Sequence, residues 1–443
     1  MRQSFIESLE KSKISENKNF EISNIDCIMS ALSVFTFKFP SLLKFDESRV
    51  EDNAIIKNIK KLFLLERLPC DTYMRERLDP LDPALCRSAF RSLFVLLQRA
   101  KILENFRFFG DHYLVSVDGT GTYSSDSVHC SNCCVKELQG GGKTYYHGLL
   151  TAALVHPGQK VVFPFAPEAI TKKDGKKKND CERNAFKRWV PEFRREHPHM
   201  KTVIVADGLS SNEPLIRLLK EHNLRFILVC KEADHKALTE WVQAADPIDK
   251  PSLDTVDEKG VIRHYEYMHN VPLNDSNPDC LVTVVRFTET TPERPKRGKD
   301  KVKKVWEEKT TRWMWVTDLP VDLSNIEEFV KGGRSRWKIE NETFNTLKNQ
   351  GYNFEHNFGH GKKHLHTMFS HLMLLAFLID QCLQQVNKRF QEALAKSGGK
   401  RGLWENIRSC FKHFELPDFE SLYHYIVHPP PWMSLPSAVQ TKK

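Results

Sequence analysis

No stretch of this 443-residue sequence is expected to cross a bilayer as a helix. The most apolar window, LHTMFSHLMLLAFLIDQCL at 365–383, is interrupted by His366, His371, Asp380 and Gln381. Only Leu372 to Ile379 runs without a break, far short of the roughly 20 residues a span needs, so the window predicts a buried core helix. The first residues, MRQSFIESLEKSK, contain no apolar segment, and no secretory signal peptide is expected. Eleven cysteines are scattered without a regular framework in a chain large enough to fold without staples, which fits a reducing compartment. There is no internal repeat. Nor is the charge extreme: 66 Lys and Arg against 57 Asp and Glu leave +9, a mild pull toward a polyanionic partner.

A chain of this length implies two or three units. Residues 1–110 read as an all-helical N-terminal unit. Ile55, Ile56, Ile59, Leu62 and Phe63 recur at helical spacing from about Asn53 to Arg67, Asp71 can cap a short helix to Leu78, and Asp82-Pro83 opens a helix through Leu97. Such a unit suits helix-turn-helix-like DNA binding, or a helical core that needs no ligand. From 114 the texture changes. LVSVDGT reads as a strand ending in Asp-Gly, YYHGLLTAALVHPG and KVVFPFAP as two more, and TVIVADGL as a strand ending like the first. Helices at about 181–196 and 211–222 and the strand RFILVC complete a parallel strand-helix-strand unit over 111–234. Residues 235–320 are rich in short β pieces, VIRHYEYM, CLVTVVRFTET and TRWMWVTDL. Helical pattern returns at 321–395, with a long helix expected from about Lys362 to Ala395, and a helical tail occupies 396–443. The fold class is therefore α/β.

The chemistry starts from RWKIENETFNTLK at 336–348. On a regular helix Trp337, Phe344 and Leu347 form one stripe with Glu340 among them, while Glu342 lies on the solvent side. A carboxylate in an apolar stripe needs a cation, a metal or a set of donors to replace its water. Adjacent strands would deliver Asp118 and Asp207 to the same end of one sheet, where open α/β sheets bind ligands. Three converging acids repel unless divalent cations sit among them. Two such ions serve in-line phosphoryl transfer.

VSVDGT, VIVADGLS and RWKIENETFNTLK, in that order, resemble the three acidic motifs of DDE transposases from bacterial insertion sequences. The long β-rich separation between Asp207 and Glu340 is similar to the group typified by insertion sequence four. The resemblance covers roughly 114–380. It implies a ribonuclease H-like catalytic core interrupted by a β-rich insertion, with Asp118, Asp207 and Glu340 as the catalytic and metal-binding triad holding two Mg2+ ions, or Mn2+ in their place. The family's third motif is Tyr, two residues, Arg, three residues, Glu, six residues, Lys. Arg336 and Glu340 fit it, Gly333 stands where the tyrosine belongs, and Lys348 comes one residue late. Arg336 and Lys348 are the implied DNA-binding residues. The implied partners are double-stranded DNA, both element ends and target, and a second copy of the chain in the DNA complex. The implied location is the bacterial cytoplasm, at the nucleoid when DNA-bound. A transposase-derived DNA-binding protein without activity, or a nuclease that cuts without joining, are the rival readings.

Other signals stand apart from this one. HCSNCC at 129–134 holds one Cys-x-x-Cys, Cys130 and Cys133, with His129, Cys134, His147 and Cys181 as conceivable partners for a zinc. One such pair supplies two of four ligands, and reduced cysteines near a hairpin are the favoured reading. His360, His364 and His371 are expected to share a helical face as a polar seam or phosphate-facing patch, and no glutamate completes an HExxH pattern. The lysine-rich loops at 172–178 and 292–304 are solvated charge or non-specific phosphate contacts.

Overall fold

Leu, Val, Ile and Ala dominate GLLTAALV at 148–155, TVIVA at 202–206 and FIL at 226–228, and these segments become the centre of a sheet because such side chains fill a pleated surface buried on both faces. The computed structural model describes residues 1–12, 21–51, 53–172, 181–292 and 308–429. The two lysine-rich loops fall outside the described residues except at Lys172 and Pro292. Twelve strands make one mixed sheet: β1 Arg107–Phe108, β2 His112–Ser125, β3 Cys134–Glu137, β4 Lys143–Val155, β5 Phe163–Pro164, β6 Glu168–Ile170, β7 Thr202–Ala206, β8 Arg225–Val229, β9 Ser252–Val256, β10 Ile262–Asn274, β11 Asn277–Pro292 and β12 Glu308–Thr317. Their order is β3-β4-β2-β7-β8-β12-β11-β10-β9, with β1 beside β2 and with β5 and β6 beside β4. The protein is thus mixed α/β around a central sheet.

At the centre, β2, β7 and β8 are parallel, as the strand-helix-strand pattern predicts. β4 flanks β2 antiparallel. On the other side β12 joins β8 antiparallel through Trp315 and Val229, and β11, β10 and β9 continue from it as an antiparallel ladder, so the β-rich stretch extends the same sheet. The expectation that LVSVDGT ends at Asp-Gly is corrected. β2 runs on through Asp118, which pairs with Thr151, and bends at a bulge between Gly121 and Tyr123. β7 does stop, because the Asp207 carboxylate caps the turn Gly208–Ser210.

The helices cover this sheet. Glu182–Glu196 buries Ala185, Phe186, Trp189, Val190 and Phe193, and Trp189 Nε1 donates to Ala166 O at 3.1 Å. Among the N-terminal helices, Asn53–Leu62 ends before the predicted Arg67, with Leu64 in the left-handed region. Asp71–Leu78 begins at Asp71 with Cys70 as its N-cap. Asp82 accepts from Ala84 N–H, Pro83 opens a 3-10 turn, and the helix that follows continues to Arg99.

The long helix expected over 362–395 is two helices, Leu365–Val386 and Lys388–Lys396, because the Asn387 side chain caps the second by accepting from Phe390 N–H. Leu365–Val386 is the one described helix long and apolar enough to cross a membrane; it is mostly buried inside the protein. Its Asp380 meets Lys38 of the N-terminal region at 2.5 Å and accepts from Tyr352 Oη at 2.7 Å. Lys38 Nζ also lies 3.8 Å from the Trp404 ring. This buried charge therefore ties the N-terminal helices, the core helix and the C-terminal helix Lys400–His413 to one point.

Candidate active site

The register of β2 on β7 decides where the first two acids fall. Val115 pairs with Ile204 and Ser116 with Val205, so two residues further on Asp118 stands level with Asp207. Both, with Arg336 and Glu340, line one open cleft of ≈ 420 Å³ at this end of the sheet, together with Lys231 and Trp313. Asp207 is held in place by Leu209 N–H, which donates to Oδ1 at 3.0 Å. Ser116, two residues before Asp118, donates its hydroxyl to Arg336 O at 2.9 Å and so fixes the third acid's helix to the strand that carries the first.

That helix is not regular. After Ile326–Arg334 the chain makes a 3-10 turn at Ser335–Trp337, a π turn at Ile339–Phe344 and a short α segment at Asn345–Asn349. A π turn takes an extra residue per turn and so shifts the phase. The stripe expected from Trp337, Phe344 and Leu347 is corrected accordingly: Ile339, Thr343, Phe344, Thr346 and Leu347 are buried, while Trp337 and Glu340 are exposed to the cleft. Glu340 faces the open site rather than apolar neighbours. Glu342 is half-buried near Lys338 and Lys400, not on a free solvent face. Gly333 has no room for a side chain, since a Cβ there would come within 2.8 Å of the buried Trp315 ring.

Arg336 supplies the positive charge. One of its terminal nitrogens lies 2.8 Å from Glu340 and 3.4 Å from Asp118. Burial nevertheless lifts the Asp118 carboxyl to about 6, against the pull of Arg336 and a hydrogen bond from Gly119 N–H, with Glu340 and Asp207 adding repulsion. Lys348 is not part of this group. It is exposed and paired with Glu355 at 2.7 Å.

A fourth acid completes the cluster. Glu182, the first residue of its helix, is pushed up to about 7 by burial and by the nearby charges of Asp118 and Asp207. A Cβ on Gly119 would lie 2.5 Å from Glu182 Oε2, so only glycine lets this carboxylate approach the strand. In sequence Glu182 is one more acid at a helix start, and no local pattern marks it. Lys231, just beyond β8, is a second residue brought in by topology alone.

Three carboxylates, Asp118, Asp207 and Glu340, thus line the open cleft, and Glu182 lies close behind Asp118 at Gly119. No family model matches the chain, and no curated protein matches it.

Proposed function

We propose that the protein is a DDE-type DNA transposase with a ribonuclease H-like core, in which β9–β12 are the β-rich insertion and the helices of 1–110 bind DNA. The observation that carries this reading is the meeting of Asp118, Asp207 and Glu340, from β2, from the end of β7 and from the π turn, in one cleft. The parallel set β2-β7-β8 with antiparallel β4 beside it supports the core.

Asp118, Asp207 and Glu340, with Glu182 behind them, would hold the divalent ions. Such ions, when bound, would supply the positive charge that an in-line displacement at phosphorus needs at its attacking and leaving oxygens. The chain's own residues do the rest. Arg336 offsets part of the charge of Asp118 and Glu340 and would turn toward a phosphate, and Lys231 and Arg334 add positive charge along the cleft. Trp337, exposed over the same cleft, offers a face on which an unpaired base can stack. Glycine at 333 in place of the family's tyrosine goes with Trp315 filling that space. The late lysine goes with the π turn, whose extra residue restores the rotation that the longer spacing would add. Lys348 would reach DNA only by leaving Glu355.

Water as nucleophile cuts the strand, and the freed 3′-hydroxyl then joins target DNA at the same site. Joining two ends calls for two copies of the chain. The test incubates the purified protein with duplexes from the flanks of its own open reading frame, plus Mg2+ and a target plasmid. Joined products with new 3′ linkages are expected. Cutting without joining would identify a nuclease, and binding without cutting an inactive DNA-binding protein.

A further inference from the structure

A second cluster lies along the same strand, beyond the bulge in β2. Four side chains from three separate parts of the chain converge there: Cys130 and Cys133 from the turn between β2 and β3, His147 from β4, and His360 from the loop before Leu365–Val386. One ligand atom from each lies within 4.8 Å of all the others. The two sulfurs are 3.7 Å apart, His147 Nε2 is 3.3 Å from each sulfur, and His360 Nδ1 is 3.8 Å from Cys133 Sγ. A tetrahedron with Zn–S of about 2.3 Å and Zn–N of about 2.0–2.1 Å has S···S edges of roughly 3.8 Å and S···N edges of roughly 3.6 Å. The observed separations are close to those edges.

The surroundings are those of a structural site. Cys133 and His147 are buried. Cys130 N–H donates to Cys133 Sγ at 3.4 Å, which orients that sulfur within the turn. The His147 ring stacks on His366 at 4.2 Å, and His366 Nε2 is hydrogen-bonded to Thr122 at 2.8 Å, so the ligand ring is held from behind. His360 Nε2 is buried with no hydrogen-bond partner among the described residues, leaving the ring's polarity to be balanced through Nδ1, on the side of the sulfurs. The loop after His360 is itself pinned: the Asp79 carboxylate accepts from the backbone N–H groups of Lys362, Lys363, His364 and Leu365. The sequence candidates His129, Cys134 and Cys181 are not among the four. His129 stacks on Tyr145, Cys134 Sγ faces Ile170 O, and Cys181 is the exposed N-cap of its helix. The histidine face expected from His360, His364 and His371 is also corrected, since His360 sits in the loop, His364 caps the helix, and His371 is buried within it.

We infer that Cys130, Cys133, His147 and His360 bind one structural zinc ion that fastens the loop before the core helix to the β2–β4 edge of the sheet. The site has all four protein ligands and is separate from the acidic cleft, so it holds whether or not the chain is a transposase.

The test uses the full chain purified under reducing conditions from zinc-supplemented medium. Elemental analysis is expected to give about one zinc per chain, as a closed four-ligand site requires. Replacement by Co2+ is expected to produce a thiolate-to-metal charge-transfer band and the intense visible bands of tetrahedral cobalt. Chelation should lower the melting temperature, and added zinc should restore it. Cys133→Ser and His360→Ala should lose the metal, while His129→Ala and Cys181→Ser keep it in full. The cobalt spectrum of the wild-type chain decides the ligand set even if a variant fails to fold. A reduced chain that holds no zinc and takes up none, a Cys130–Cys133 disulfide in the purified protein, or cobalt bands lacking thiolate ligation would overturn the assignment.

Discussion

Arg336 and Glu340 are paired at 2.8 Å across one turn, and the same guanidinium lies 3.4 Å from Asp118. The arginine thus occupies the flank of the carboxylates that a divalent ion would share. Removing it takes away a competitor for the ion and, on the proposed reading, a phosphate contact. Arg336→Gln is therefore expected to show a larger Mn2+-induced rise in melting temperature than wild type, alongside slower DNA cleavage. A smaller rise would mean that Arg336 helps hold the ion rather than standing in for it.

Glu182 gives the site a pH signature. Its carboxyl at about 7 and that of Asp118 at about 6 both lie above the unfolded values, roughly 4.3 and 3.9. The folded protein keeps protons that the unfolded chain releases, so this stability is full below about pH 4 and is lost as pH rises through 6 to 7. The metal-free protein should melt at lower temperature at pH 8 than at pH 5 on this account. Glu182→Gln should flatten the fall, and Mn2+ should offset it in wild type. An unaltered slope in Glu182→Gln would remove Glu182 from the cluster.

The two glutamates of the π turn should separate activity from stability. Glu340→Gln changes an exposed group at the cleft, so cleavage should drop by orders of magnitude while the metal-free melting temperature hardly moves. Glu342→Gln removes a half-buried charge near Lys338 and Lys400, so it should lower the melting temperature and leave cleavage nearly intact. Parallel melts and cleavage assays read both; the reverse pattern would misplace the third acid.

At the other end of the core, the buried pair of Lys38 and Asp380 is expected to be costly to break from one side. Removing one partner leaves the other charge buried, at about 3–5 kcal/mol. Urea unfolding of Asp380→Leu should show a loss of that size, and the double variant Lys38→Met/Asp380→Leu should recover much of it. A double variant as unstable as the sum of its parts would mean that the two act separately.

Strand content and the neighbourhood of Asp118 and Asp207 were legible in the sequence, because a continuous apolar run such as VIVA names a strand buried on both faces and the right-handed crossover makes its neighbours parallel. The phase around Glu340 was not. Periodicity at 3.6 residues presumes a regular helix, and the 3-10 and π turns place Trp337 and Glu340 together on the cleft. Glu182 and Lys231 were hidden for another reason, since each reaches the cluster through topology from a helix start or a strand end, and His360 was read with His364 and His371 as one helical face although it lies in the loop before that helix. Cys130 and Cys133 were visible as a pair, yet the partners that the spacing offered included only one of the two histidines that meet them.

The central claim, that Asp118, Asp207 and Glu340 together hold metal for phosphodiester chemistry, is tested most directly by Mn2+-dependent cleavage of end DNA. Wild type, Asp118→Asn, Asp207→Asn and Glu340→Gln are compared side by side, with binding to the same DNA measured in chelator. Cleavage is expected to fall by orders of magnitude in all three variants while binding without metal stays at the wild-type level. Any one of them cutting at near the wild-type rate would contradict the claim.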